Sequence, residues 1–265
     1  MDKQNSSHIK TYRHKYLYSL NYFLGSLAER YQRFSVGRIR LAEYRDFLED
    51  IEAYKPTNEI YLHVARLSKP SFFVLHHDVH SNARRMMELA RLEHSLGWRS
   101  TYFVRPGTDC MTKEIAKELW DMKHDLGLLY DCLETTIGDK IGHNEQDIKG
   151  SAWMKFKNIL NDHLELNITC TAAYNRPLGV DNTLLWRDHN YRTMHIRCDA
   201  EMDLRNQDIV YFRVSGDRVE YLMRQKDGGY RELKPGLRIE NVQDLGRRLK
   251  AGNMVDRMIV RLEWR

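Results

Sequence analysis

The feature that most constrains the fold is a long alternation of short apolar segments with amphipathic ones. Residues 71–75 and 100–104 are apolar runs of strand length, and residues 83–96 carry apolar side chains at the spacing of a helix. The alternation continues for about 190 residues, and no linker rich in Gly, Ser or Pro divides it. It predicts an α/β fold with a parallel sheet or a βα barrel.

Weaker segments extend the same pattern toward both ends of the chain. Strands are predicted at residues 126–130, 168–173, 194–196 and 258–262, with a hairpin at 209–214 and 218–224. Helices are predicted at residues 14–31, 40–53, 145–162, 182–187 and 240–251, and Thr112 opens one more. We therefore expect a helical extension over residues 1–68 and one βα domain over residues 69–265.

Composition excludes several classes of protein. No run of about 18 apolar residues is present, which argues against a membrane span. The net charge of +5 is scattered, which argues against a nucleic-acid partner. Four cysteines at wide, irregular gaps favour reduced thiols in a cytoplasmic protein. Residues 15–28 resemble a signal peptide, but polar and aromatic residues interrupt them and favour an amphipathic helix.

A cluster of polar residues follows the first predicted strand. His76-His77-Asp78-Val79-His80 places three imidazoles and a carboxylate at the strand's carboxyl end, where βα folds hold their working residues. Side chains alternate along a strand, so His76, Asp78 and His80 are predicted to share a face. Imidazole and carboxylate ligands suit zinc, nickel, iron or cobalt. The alternative is a set of histidines in a solvent-facing loop.

Several segments resemble the polysaccharide deacetylase (NodB-homology) family. Residues 73–80 and 90–105 are similar to its opening motif H-D-V-D and to the helix and strand that end in S-T-Y-F. Residues 124–131 are similar to its motif H-E-I-G-Y-H-Y-E. Pro177, Asp181-Asn182 and Trp186 resemble a later stretch, and residues 244–259 resemble the closing helix and strand. The similarity spans roughly residues 70–265 in the family's order.

The resemblance implies a distorted, TIM-like βα barrel of about seven strands. It also implies metal-assisted hydrolysis of an N-acetyl group on an amino sugar, in which a carboxylate takes a proton from metal-bound water. Asp78 matches that catalytic carboxylate.

The chain departs from the family at its metal ligands. His80 stands where the family has a ligating Asp, and Leu129, Tyr174 and Leu262 stand where it has His. We expect Leu129 and Leu262 to line the same barrel mouth as Asp78. His76, His80 and His124 remain as candidate ligands for a divalent zinc, nickel, cobalt or iron ion. The alternative for His124 is a structural role.

Five residues are tentative contacts for a substrate. Arg105 follows the second strand and can meet an anionic or hydroxyl group, although an exposed arginine on the surface is the alternative. Aromatic rings can stack on a sugar or pack in the core, and these two readings stay open for the three ring-bearing candidates. The five candidates are Arg105, Tyr130, Asp131, Tyr174 and Trp186.

Two functions follow from these observations. The first is a deacetylase-like protein that has lost metal-dependent catalysis and binds an amino sugar, a polysaccharide or a partner protein. The second is an active hydrolase of C–N bonds with a rearranged metal site. The sequence does not define an oligomeric state.

Overall fold

The computed structural model describes residues 39–67, 70–139, 144–174, 180–204, 209–215, 218–224, 230–232, 239–252 and 256–264. The predicted helix over residues 14–31 and Pro177 of the deacetylase-like stretch lie outside these ranges. None of the helices within them is long and apolar enough to cross a membrane.

The described residues form nine strands in one sheet. The strands are β1 (Phe72–Val79), β2 (Ser100–Val104), β3 (Asp125–Tyr130), β4 (Cys170–Ala173), β5 (Cys198–Asp199), β6 (Ile209–Ser215), β7 (Arg218–Arg224), β8 (Tyr230–Glu232) and β9 (Arg257–Trp264). The α-helices are α1 (Leu41–Asp50), α2 (Tyr61–Leu67), α3 (Ala83–Ser95), α4 (Lys113–Asp121), α5 (Cys132–Asp139), α6 (Glu145–Asp162) and α7 (Val242–Ala251). Short 3₁₀ helices cover Glu52–Thr57, Leu164–Leu166, Asn182–Arg187 and Tyr191–Met194.

The strand order is β5-β4-β3-β2-β1-β9-β6-β7-β8. Strands β1, β2 and β3 are adjacent and parallel, which confirms the parallel pairing that the alternation of strands and helices predicts. The predicted hairpin is also confirmed, as the antiparallel pair β6 and β7. The last strand, β9, enters the middle of the sheet and pairs in parallel with both β1 and β6.

Two expectations about the strands are wrong. The sheet has nine strands in the described residues rather than about seven. The strand predicted at residues 194–196 is replaced by the 3₁₀ helix Tyr191–Met194, and His195 has a left-handed φ of 63° that an extended strand does not adopt. The strand in this region lies slightly later, at Cys198–Asp199.

The chain divides into two compact units. The helical unit draws on residues 130–164 and 173–195, and the sheet unit draws on residues 36–129, 165–172 and 196–265. Helices α1 and α2 therefore belong to the sheet unit, although they precede the boundary predicted at residue 68. That boundary stays a prediction.

Strand β1 lies at the centre of the sheet unit and is buried along its whole length. Burial on both faces is typical of a parallel strand covered on each side. Its odd-numbered residues, with the even-numbered residues of β9, pack against helices α1, α3 and α7; we call this the outer face. The cluster there includes Tyr44, Phe47, Leu48, Phe73, Leu75, Leu89, Leu92, Val242, Leu245, Met258, Val260 and Leu262.

The opposite side of β1, which we call the inner face, shows that the sheet curls. Arg261 on β9 donates a hydrogen bond to Glu201, which follows β5, across 2.8 Å. Five strand spacings separate β9 from β5 and would span on the order of 24 Å in a flat sheet. The two side chains meet only because the sheet curves around this face. A curled, mostly parallel α/β sheet is compatible with the expected TIM-like fold.

The segment before β1 contacts both faces of the sheet unit. On the outer face, α1 packs along α7, and Lys250 forms an ion pair with Asp50 at 2.9 Å. On the inner face, the Tyr61 ring lies edge-on to the His76 ring, and the Tyr61 backbone N–H donates to Thr101 Oγ1. The segment thus completes the packing around β1.

A single buried carboxylate, Glu93 on α3, links the elements of the outer face. It accepts hydrogen bonds from Tyr44, from His77 at 2.7 Å, from Ser100 at 2.5 Å and from Tyr102 at 2.6 Å. Burial alone would raise the pKa of Glu93, but the histidines and hydroxyl donors around it lower that pKa to about 2. Glu93 therefore stays ionised and ties α1, β1 and β2 to α3.

We expect Glu93→Gln to lower the free energy of unfolding by roughly 3 kcal/mol, because an amide cannot accept from all of these donors. Urea denaturation followed by circular dichroism measures the change. Glu88→Gln on the same helix is the matched control, since Glu88 pairs with arginines near the surface. Its effect should stay below about 1 kcal/mol. Equal effects of the two substitutions would contradict the role of Glu93.

Candidate functional site

The candidate site lies on the inner face of the sheet unit, near the carboxyl end of β1. Asp78 and His76 are both fully buried there. His76 Nε2 lies 2.7 Å from Asp78 Oδ1, and His76 Nδ1 lies 3.1 Å from the Tyr61 hydroxyl. The alternation of side chains along the strand places the imidazole and the carboxylate side by side, as the sequence predicted.

The partner of Asp78 is Arg261 on the neighbouring strand β9. Arg261 Nε donates to Asp78 Oδ2 at 2.6 Å, and its Nη1 donates to Glu201 Oε1 at 2.8 Å. The same Nη1 lies 3.2 Å from the Tyr211 hydroxyl. Arg261 is 3% exposed, so this guanidinium and its two carboxylates are shielded from water.

Electrostatics fix the protonation of these groups. Burial alone would raise the pKa of Asp78, but Arg261 and His76 hold it well below the usual range of an aspartate. Burial lowers the pKa of His76 to about 4, so its ring is neutral at pH 7. Since an ionised Asp78 only accepts, the single ring proton of His76 is on Nε2, and Nδ1 accepts from Tyr61.

Asp199 shapes the turn that presents Glu201. Its Oδ1 accepts from the backbone N–H groups of Glu201 and Met202, both at 3.0 Å, and its Oδ2 accepts from the Thr171 hydroxyl at 2.9 Å. Burial and the neighbouring Glu201 raise the pKa of Asp199 to about 7. Glu201 is thereby held in position to meet Arg261.

The three tentative metal ligands are not brought together. His76 lies on the inner face, whereas His124 lies among residues of the outer face. There His124 Nδ1 accepts from the Ser100 backbone N–H and its Nε2 donates to the Ala90 carbonyl. His80 follows the end of β1 and is half-buried. The side-chain packing of His124 matches the structural role given as its alternative.

The candidate ligand set for a rearranged site, His76, His80 and His124, does not fit a divalent ion. Two of its imidazoles lie on opposite faces of the sheet, and the ring nitrogens of His76 are held by Tyr61 and Asp78. In the part of the chain that the structure describes, no three His, Cys, Asp or Glu side chains are arranged to hold a metal. The guanidinium of Arg261 contacts the carboxylate of Asp78 instead.

The expected position beside Asp78 at the barrel mouth is wrong for one of the two leucines. Leu262 pairs in register with His77 and packs in the outer cluster, so it lies on the side opposite Asp78. Leu129 lies on the Asp78 side, because Gly127 pairs with Phe103 and Phe103 pairs with Asp78. The expectation for Leu262 was wrong by one residue, because its neighbours Arg261 and Glu263 are the inward-facing residues of β9, in register with His76 and Asp78.

Four of the five tentative substrate contacts belong to the helical unit. Tyr130 and Trp186 are buried and lie edge-to-face with ring centroids 5.2 Å apart, and both contact Phe156. These rings pack in the core of the unit, which is the alternative that the sequence left open. Asp131 and Tyr174 are also buried there.

The fifth tentative contact, Arg105, lies in the sheet unit. It follows β2 directly and is half-buried, and its backbone N–H donates to the Val79 carbonyl at 3.0 Å. Arg105 therefore lies next to the carboxyl end of β1, the strand that carries Asp78.

Five residues that complete the site are not predicted from the sequence, namely Arg261, Glu201, Asp199, Tyr211 and Tyr61. One signal was present for the first of them. Arg261 alternates with the apolar residues Val260 and Leu262 in a strand of otherwise buried character, and a charged residue in such a strand needs a buried partner. The other four lie in segments whose sequence carries no local pattern that predicts a contact with the inner face.

No family model, curated protein or solved structure matches the chain. The similarity to polysaccharide deacetylases therefore rests on the order and composition of the sequence motifs.

We expect Asp78→Asn to lower the free energy of unfolding by roughly 3–5 kcal/mol at pH 7, because it leaves the buried Arg261 with one carboxylate fewer. The lowered pKa of Asp78 means that its contribution is present above about pH 4 and is lost as the pH falls through the range below it. Urea denaturation at pH 7, 5 and 3 should show the difference between the two proteins shrinking toward pH 3.

Asp50→Asn is the matched control, because Asp50 pairs with the exposed Lys250. Its effect should not exceed about 1 kcal/mol. A difference between wild type and Asp78→Asn that is constant from pH 7 to pH 3 would contradict the ionised state assigned to Asp78.

Proposed function

We propose that this chain is a polysaccharide deacetylase-like protein that binds an amino sugar or polysaccharide without hydrolysing it. The observation that carries the proposal is the ion pair between Asp78 and Arg261. In the polysaccharide deacetylase family, which the sequence resembles, the residue that matches Asp78 takes a proton from metal-bound water. Here the same carboxylate already accepts from a guanidinium and an imidazole.

The protonation of Asp78 supports the loss of catalysis. A general base works best when its pKa lies near the operating pH, and Arg261 moves the pKa of Asp78 away from that range. A metal ion that activates water and stabilises the oxyanion contributes several kcal/mol to the transition state. Each ~1.4 kcal/mol is a factor of ten in rate, so a centre without this contribution is slower by several powers of ten.

The binding part of the proposal rests on the motifs and on the position of the site. The deacetylase-like motifs run in the family's order along about residues 70–265. Asp78 lies near the carboxyl end of β1, and Arg105 directly follows β2, the parallel neighbour of β1. The carboxyl ends of such strands are where βα folds bind their ligands. Asp78 is itself fully buried, so the half-buried Arg105 is the side chain of this pair that a sugar can contact.

The first test is an assay of acetate release from N-acetylglucosamine oligomers with added zinc, nickel or cobalt. We expect no release above that of Asp78→Asn, because both proteins lack a usable base. Robust turnover that a chelator and Asp78→Asn both abolish would instead identify an active hydrolase with a rearranged metal site.

The second test is calorimetric titration with the same oligomers and with their deacetylated forms. We expect saturable binding that weakens about tenfold or more in Arg105→Ala, since one charge-assisted hydrogen bond contributes about 1.5–3 kcal/mol. Arg84→Ala is the matched control, because the Arg84 side chain is 90% exposed on helix α3. Absence of saturation with oligomers and with polymer would overturn the sugar-binding part of the proposal.

A further inference from the structure

Arg261 is the point at which the polar groups of the inner face converge. Its guanidinium contacts the carboxylates of Asp78 and Glu201 and the hydroxyl of Tyr211. His76 lies one hydrogen bond further away, on Asp78. Two buried carboxylates that converge on one cation are oxygen ligands of the kind that divalent metal ions take in proteins.

We propose that Arg261 is a built-in cation that takes the place of a divalent ion between Asp78 and Glu201. The guanidinium supplies the positive charge that the two carboxylates require, and its bulk fills the space between them. The Arg261 side chain thereby excludes metal ions from this centre.

The charges around the site support this assignment. The nearby cation Arg213 pairs with Arg261 in strand register, but its own closest acids are Glu263 at 3.6 Å and Glu220 at 3.7 Å. Arg261 therefore contacts Asp78 and Glu201 directly, at 2.6 and 2.8 Å. Removing its charge from two buried carboxylates is strongly destabilising.

The geometry also explains why the cation is an arginine. The planar guanidinium reaches two separate carboxylates at once, through Nε toward Asp78 and through Nη1 toward Glu201. A lysine presents one compact charge at the end of a flexible chain and lacks this fork. An arginine is thus suited to bridging Asp78 on β1 and Glu201 in the turn after β5, as a metal ion would.

This inference rests on the proposed function in one respect, because both require that no metal ion is bound beside Asp78. The two proposals can nevertheless fail independently of each other. Sugar binding is measured on the unmodified protein without any metal, whereas the inference about Arg261 is measured by cation binding without any sugar.

The test is Arg261→Ala, which removes the charge and opens space. We expect the variant to gain a site for Co²⁺ or Zn²⁺, seen as a rise in melting temperature of about 5 °C or more with a saturating ion. Bound Co²⁺ should also show visible absorption. The unmodified protein should show neither change with the same ions.

Three variants serve as controls. Arg261→Lys keeps a positive charge and should not respond to Co²⁺. Arg261→Met removes the charge but fills much of the space, and should respond less than Arg261→Ala. The double variant Asp78→Asn/Arg261→Ala removes a ligand and should lose the response, which would show that the ion binds at this centre.

Two outcomes would overturn the inference. One is a folded Arg261→Ala that binds no divalent ion; the other is stoichiometric Co²⁺ binding by the unmodified protein that Asp78→Asn abolishes. If Arg261→Ala does not fold, Arg261→Gln, which keeps a donor for Asp78, takes its place with the same expectation. Failure of both variants to fold even when refolded with Co²⁺ also counts against the inference, because the ion should restore the missing charge.

Discussion

The ion pair between Asp78 and Arg261 joins the two central strands, β1 and β9, and the polar inner face depends on it. Burying a carboxylate is costly unless a countercharge and hydrogen bonds compensate for the loss of water. Arg261 provides both for Asp78 and also reaches Glu201 beyond β5. This contact requires the sheet to curl, so the ion pair and the curvature of the sheet unit support each other.

Strand β1 carries a second polar network on its other side. His76 and Asp78 face the inner network, whereas His77 faces outward and donates to Glu93. Consecutive residues of one strand thus serve two separate sets of buried hydrogen bonds. This arrangement explains why a histidine-rich segment lies inside the protein and why its imidazoles do not gather around a common ligand. Both ring nitrogens of His76 and the Nε2 atom of His77 already take part in these networks.

Much of the fold could be predicted because its signals are local. The apolar runs at residues 71–75 and 100–104 define buried strands, and their alternation with helices predicts parallel pairing. The 18-residue helix α6 is found at the bounds that its apolar spacing predicted. The two-residue strand β5 was misplaced by a few residues, because so short an element has no periodicity to detect.

The sequence by itself determined that β1 is a buried strand and that His76 and Asp78 share one of its faces, since side chains alternate with a period of two. Only the tertiary structure decided what meets them there. Arg261 lies 183 residues from Asp78 along the chain, and it reaches that carboxylate because β9 inserts beside β1 in one particular register. A shift of one residue would place Leu262 there instead. Register depends on the packing of the whole sheet, and no local pattern encodes it.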